Sequence, residues 1–180
     1  MIPELNHVLF YFAALFAVNI TIISEESTLL IDRTQNTARI EYYGLITPEK
    51  DAKLVEAALQ GIIQSEQLDD YYTPMQLLSL NFYQKGQKIN AELNFTFSDQ
   101  DALWELLYFS KVEQGQPAYV ILEQEKLIAT NGKLVKAQNL EYIQWDNQSP
   151  EIRLSLRLRK SVAGRDSMVS LTNYWQVATR

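Results

Sequence analysis

Apolar and polar positions along this 180-residue chain fall into three regimes. From Val8 to Val18 every residue is apolar, and that character runs on to Ile23 with only Asn19 and Thr21 interrupting it. The middle of the chain alternates apolar and polar residues in strand-like runs that give way twice to helical spacing. The last third returns to short β-type runs separated by turn residues.

In the middle regime, Ser24-Glu25-Glu26-Ser27 reads as a polar break. Two β-rich stretches follow, Thr28 to Thr34 and Thr37 to Ile46, separated by Gln35-Asn36, which predicts a hairpin. Thr47-Pro48-Glu49 supplies a capping hydroxyl, a proline suited to the first helical position and an acid suited to the helix dipole. Leu54, Val55, Ala58, Leu59, Ile62 and Ile63 then recur at helical spacing, giving an apolar stripe.

The same order returns with Leu77 to Gln84 and Lys88 to Phe97 as strands around Lys85-Gly86-Gln87. Ala91, Leu93, Phe95 and Phe97 alternate with Asn90, Glu92, Asn94 and Thr96, the pattern of one buried and one wet face. Ser98 with Asp101 resembles a capping box, and Ala102, Leu103, Leu106 and Leu107 continue as a helix stripe. Asn36 and Gly86 lie 50 residues apart, and Thr47 and Ser98 lie 51 apart, so turns and caps recur at one offset. This predicts a duplicated β-β-α unit.

The β-rich C-terminal third reads as Ala118 to Glu123, a two-residue hairpin signal at Asn131-Gly132, Asn139 to Trp145, a turn at Asn147-Gln148-Ser149-Pro150, and Glu151 to Arg159. A closing strand is predicted within Met168 to Val177, after the Gly164-Arg165-Asp166 loop. Short turns favour antiparallel pairing. The expected fold class is therefore α+β, an antiparallel sheet of hairpins with two amphipathic helices on one face, forming a single domain over 24–180.

Residues 1–23 form a separate question. The run from Val8 matches a signal-peptide core in length and falls short of the roughly 20 residues that span a bilayer. Ala14 and Ala17 suit a signal peptidase, yet Met1 to His7 carries Glu4 and no Lys or Arg where a basic segment is expected. Three readings compete: a cleaved signal, a short uncleaved anchor that would associate the chain with a membrane, and a buried structural helix. The first places the protein outside the cytoplasm, periplasmic or secreted.

Composition narrows the chemistry. A formal net charge of -6 and a pI near 4.9 give no electrostatic drive toward nucleic acid. The absence of cysteine removes disulfides, thiolate catalysis and cysteine metal sites. With His7 the only histidine, a Ser-His-Asp triad or multi-histidine metal site is not available, and no phosphate loop or nucleophile elbow occurs. The sequence predicts no catalytic residue, metal or cofactor.

Asp69-Asp70 and Asp99 with Asp101 are the visible acidic clusters, read as a solvated loop and as helix capping. Arg153, Arg157 and Arg159 alternate with Ile152, Leu154, Leu156 and Leu158, so three guanidinium groups share one strand face, a candidate contact for an anion or a partner. The simpler reading is a wet strand face paired to acids such as Glu141 or Asp146 across a hairpin. Ten tyrosines, with doublets Tyr42-Tyr43 and Tyr71-Tyr72, and Trp104, Trp145 and Trp175 suit a partner surface or ordinary strands. The sequons at Asn19 and Asn94 matter only in a eukaryotic secretory route. The functional expectation is a non-enzymatic envelope or extracytoplasmic protein that binds a partner protein. Its alternatives are a carrier of a small molecule or lipid between sheet and helices, and a carboxylate-dependent hydrolase.

Overall fold

A computed structural model describes residues 10–16, 18–69, 74–107, 109–111, 115–137, 139–160 and 164–178. His7, Asp70, Tyr71, Tyr72 and Ala17 lie outside the described residues. The strands are β1 (Ile23–Asp32), β2 (Thr37–Thr47), β3 (Met75–Lys85), β4 (Lys88–Phe97), β5 (Phe109–Lys111), β6 (Pro117–Val120), β7 (Glu125–Thr130), β8 (Lys133–Ala137), β9 (Leu140–Gln144), β10 (Glu151–Leu158) and β11 (Val169–Ser170). The helices are α1 (Ala52–Ile63), α2 (Gln100–Leu106) and α3 (Thr172–Ala178). The fold is mixed α/β with antiparallel pairing throughout both of its sheets.

The large sheet runs β3-β4-β2-β1-β10-β7, with β11 added beside β2, and the small sheet runs β5-β6-β9-β8. Alternation decides which side chains enter the core. In β1, Leu29 and Ile31 point inward beside Ile40 and Ala38 of β2 and Leu154 and Ile152 of β10, and all six are buried. Val55, Leu59 and Ile62 of α1 join the same core. Leu54 and Ile63 of the expected stripe are instead exposed, because the buried face is narrower than the run of apolar residues.

The described part of the N-terminal apolar run is core. A 3-10 turn at Phe12–Leu15 precedes β1, and Phe10, Phe12, Leu15, Ile22 and Ile23 are completely buried. Phe12 meets Tyr42 of β2 edge-on at 5.1 Å and Phe82 of β3 at 5.5 Å between ring centres. Such edge-to-face pairs add to the burial of the rings themselves. Main-chain bonds hold the loop: Ser24 N–H donates to the Phe10 carbonyl (3.0 Å), Ala13 to Ile22 (3.3 Å) and Asp69 to Leu15 (2.9 Å). Among the described residues no helix is long and apolar enough to cross a membrane.

Several local expectations shift. The supposed polar break at Ser24 to Ser27 lies inside β1, where strand pairing on both sides and ion pairs to Glu25 and Glu26 overcome its polarity. Both helix starts move along the chain. Thr47 stays in β2, donating its hydroxyl to Thr21 O, and Asp51 caps α1 by accepting from Lys53 N–H (3.0 Å). Asp99 rather than Ser98 caps α2, accepting from Asp101 N–H (2.8 Å). The predicted closing strand shrinks to β11, and the rest is α3, since Leu171, Tyr174 and Trp175 lie at i, i+3 and i+4.

Asn131-Gly132 is not a two-residue hairpin. β7 pairs with β10 in the large sheet and β8 with β9 in the small one, so the turn carries the chain between sheets. Gly132 is required there by close approach: a Cβ would lie 2.5 Å from Ile143 Cγ2 and 2.7 Å from the Trp145 ring. Gly44, at φ 66°, performs a different task within β2. Pairing with β4 stops at Tyr42, Asn90 Oδ1 accepts Gly44 N–H (2.9 Å), and β11 takes up the edge from Ile46 onward.

Two substitutions test this packing. Phe12→Ala should lower unfolding free energy by about 3–5 kcal/mol, the usual loss for a buried phenylalanine, in urea titrations followed by tryptophan fluorescence. Gly132→Ala should cost about 1–3 kcal/mol by overpacking, without the change in β content that a lost strand would bring in circular dichroism.

Candidate functional site

The outward face of the large sheet carries the arginines singled out from the sequence. Strand register places Arg39, Leu30 and Arg153 in one row across β2, β1 and β10, then Glu41, Thr28 and Ser155, then Tyr43, Glu26 and Arg157. Arg157 donates through Nε (2.9 Å) and Nη2 (2.7 Å) to Glu26 Oε2. Arg153 pairs with Glu151 on its own strand at 2.5 Å, and Arg159 Nε donates to the Glu125 carbonyl at 2.8 Å. Thr28 and Ser155 hydroxyls share a bond of 2.9 Å between the same strands.

The three arginines are therefore each engaged, and by partners other than Glu141 and Asp146. β9 and β10 do not pair, because the chain crosses from the small sheet to the large one between them. Glu141 instead meets Lys136 at 2.5 Å, and Asp146 accepts Gln148 N–H within the turn (2.7 Å). Exposed pairs of this kind contribute little to stability.

A second group on the outward face escaped sequence reading. Glu41 of β2 and Glu92 of β4 stand directly opposite each other, a like-charge pair that costs free energy in isolation. Tyr43 donates to Glu41, Arg39 lies 3.5 Å from it, and Asn94 Nδ2 donates to Glu92 (2.9 Å) and to Ser79 Oγ (3.0 Å). Burial, followed by the charges of Glu41 and Glu92, raises the Tyr83 hydroxyl above its ordinary range. Among the described residues no group of three or more acids or histidines is set to hold a metal ion. Asn94, one of the two sequon asparagines, is thus tied into the sheet.

The joint between the sheets concentrates aromatic and polar contacts. Phe109 of β5 lies 5.2 Å from Trp104 of α2, 5.4 Å from Tyr119 of β6 and 5.3 Å from Trp145. Asn131 Oδ1 accepts from Trp145 Nε1 and from Arg153 N–H, both at 2.8 Å, while its amide donates to Glu151 O (3.0 Å). Arg33 reaches from the β1–β2 turn to the carbonyls of Asn147 (2.8 Å) and Ser149 (3.2 Å), with its guanidinium 5.9 Å over the Trp104 ring. Trp175 is elsewhere, 5.0 Å from Phe82.

At the far end of β1, Glu25 binds Arg165 Nη2 (3.1 Å) and Lys88, while Arg165 Nη1 donates to Leu158 O (2.7 Å). Burial pushes the Glu25 carboxyl up, but hydrogen bonds and charge from Lys88 and Arg165 outweigh it and hold the group below 4.5. Along the chain, Asp69 is tied by its main chain to Leu15, and Asp99 and Asp101 serve the start of α2. Comparison with protein-family models, curated proteins and solved structures finds no match.

Because the folded Glu25 holds its proton less tightly than the unfolded chain does, its stabilisation is present above 4.5 and is lost as pH falls through the folded value. Arg165→Ala should therefore flatten the acid limb of a stability-pH profile below 4.5, measured by urea midpoints at steps from pH 5 to pH 2.5.

Proposed function

We propose that the chain is a non-catalytic binding protein that takes a protein partner along the terminal strands of its two sheets. One observation carries this reading: Ile128, Leu134 and Leu140 stand 40%, 42% and 57% exposed within one short stretch. β7 ends the large sheet and β8 ends the small one, so Ile128 and Leu134 lie on two sheet margins, and Leu140 opens β9, one strand in from the second. Leu134 and Leu140 point to opposite faces of the small sheet, since Leu134 is opposite Ile143 and Leu140 opposite Ala137. An added strand satisfies that geometry, giving main-chain bonds along the margin and side-chain contacts on both faces.

Lys133 and Lys136 on β8 fit the same picture, because edge lysines suppress indiscriminate strand addition and leave a selective one. The rigid tie at Asn131 supports it by fixing both margins to the body of the protein. In this reading the two β-β-α runs are copies of one unit that builds the platform. The apolar run from Phe10 stays with the domain as core, a role its burial supports over that of a removable leader.

Photocrosslinking distinguishes a partner margin from incidental exposure. A photoreactive phenylalanine analogue at position 134 or 140 should give one discrete protein adduct in source cells. The same analogue at Leu54, 52% exposed on α1, should not. Equal labelling from all three positions would remove the proposal.

A further inference from the structure

Among the described residues no cation pairs with the carboxylate of Glu125, an ionisable side chain that is buried. It opens β7 on the large sheet and is 0% exposed. Its Oε1 accepts from the hydroxyl of Tyr119, on β6 of the small sheet, at 2.8 Å, and its Oε2 accepts Leu122 N–H from the connecting turn at 3.0 Å. Tyr119 is itself 0% exposed and packs on Phe109 within the aromatic joint. One carboxyl thus spans the short connection that passes the chain from the small sheet to the large one.

We infer that Glu125 is a proton-operated latch: with its carboxyl protonated the small sheet is held tightly to the large one, and with the carboxyl ionised that junction is loosened. Both partners of the carboxyl are neutral. Arg159, the nearest guanidinium by bonding, engages the Glu125 main-chain carbonyl and not the carboxylate, while its own N–H donates to Gln124 O. Arg165, packed against the end of β10, is taken up by Glu25 of β1 and by Leu158 O. Glu123 and Lys126, on either side in the chain, are exposed. Burying an ionised carboxylate without a counter-charge is costly, so the neutral acid is the form the site favours.

The heavy-atom positions accommodate that neutral form once the Tyr119 hydroxyl turns its own proton away from Oε1. A tyrosine hydroxyl donates or accepts equally well, so a protonated Oε1 can donate to Tyr119 while Oε2 continues to accept from Leu122. Burial is the largest influence on the group and raises its carboxyl above 4.5, against the opposing bonds from Leu122 and Tyr119. By linkage, a group raised on folding gives stability that is complete below the unfolded value and is lost as pH rises through the folded one. Glu25 acts in the opposite sense, its stabilisation being lost toward acid, whereas that of Glu125 is lost as pH rises.

Hydrogen exchange of the β6 and β9 amides at pH 5 and pH 7, corrected for intrinsic rates, reads the latch directly. Protection should fall from pH 5 to pH 7, with about tenfold for each unit by which folding raises the carboxyl as the upper bound. Glu125→Gln, a neutral shape mimic that can donate to Tyr119 and accept from Leu122, should make protection independent of pH. Carboxyl carbon shifts of wild-type Glu125 should titrate with a midpoint above 4.5. Wild-type protection that is flat between pH 5 and pH 7 overturns the latch. So does a Gln variant that keeps the wild-type dependence, or a titration midpoint at or below 4.5.

Discussion

Phe12 lies between Tyr42 and Phe82, and the large sheet depends on what that ring and its neighbours cover. β2 and β3 present those aromatic side chains toward the core from opposite sides of β4. A sheet face of this breadth needs a second apolar layer. Phe10, Phe12, Leu15 and Phe16 supply part of it from a segment that is otherwise short of regular structure, and α1 supplies more. Three main-chain hydrogen bonds peg that segment to Ile22, Ser24 and Asp69, pairing the Ala13 amide and the Phe10 and Leu15 carbonyls inside.

The second constraint is the joint between the sheets. Beyond β6 the chain passes between the small and the large sheet at 121–124, at Asn131-Gly132 and again at 146–150, and each of these passages is tied by a specific polar group. Glu125 closes the first, Asn131 the second and Arg33 the third. Around them Trp104, Phe109, Tyr119 and Trp145 form a continuous aromatic wall. Glu125 is buried beside that wall, where a polar group is costly unless bonded, while Arg33 is half-buried and Asn131 exposed. Glu125 differs from the other two in carrying a proton that can leave.

Local features were legible because they depend on neighbours in sequence. The β3–β4 hairpin, the strand at Glu151 and the inward set of β4 all follow from alternation and turn residues. Helix starts were misplaced by one to four residues because several hydroxyls and acids compete for the capping role, and strand pairing at Thr47 removed one competitor. The closing helix was hidden by aromatic residues whose β propensity outweighed their helical spacing. Among candidate contacts, the outward direction of Arg153 and Arg157 was readable from Ile152 to Leu158. Their partners Glu26 and Glu151 were not equally so, because Glu26 sits 131 residues away.

By itself the sequence determined the class of the fold, two successive hairpin and helix runs, and a shortage of groups for histidine, thiol or phosphate-loop chemistry. Tertiary structure decided where the apolar N-terminal run goes, that β10 lies beside β1, and that the chain changes sheets at Asn131-Gly132. The division has one physical cause. Alternation, helical spacing and turn preference are set within a few residues, whereas strand order and buried polar joints are set by which distant surfaces exclude water together.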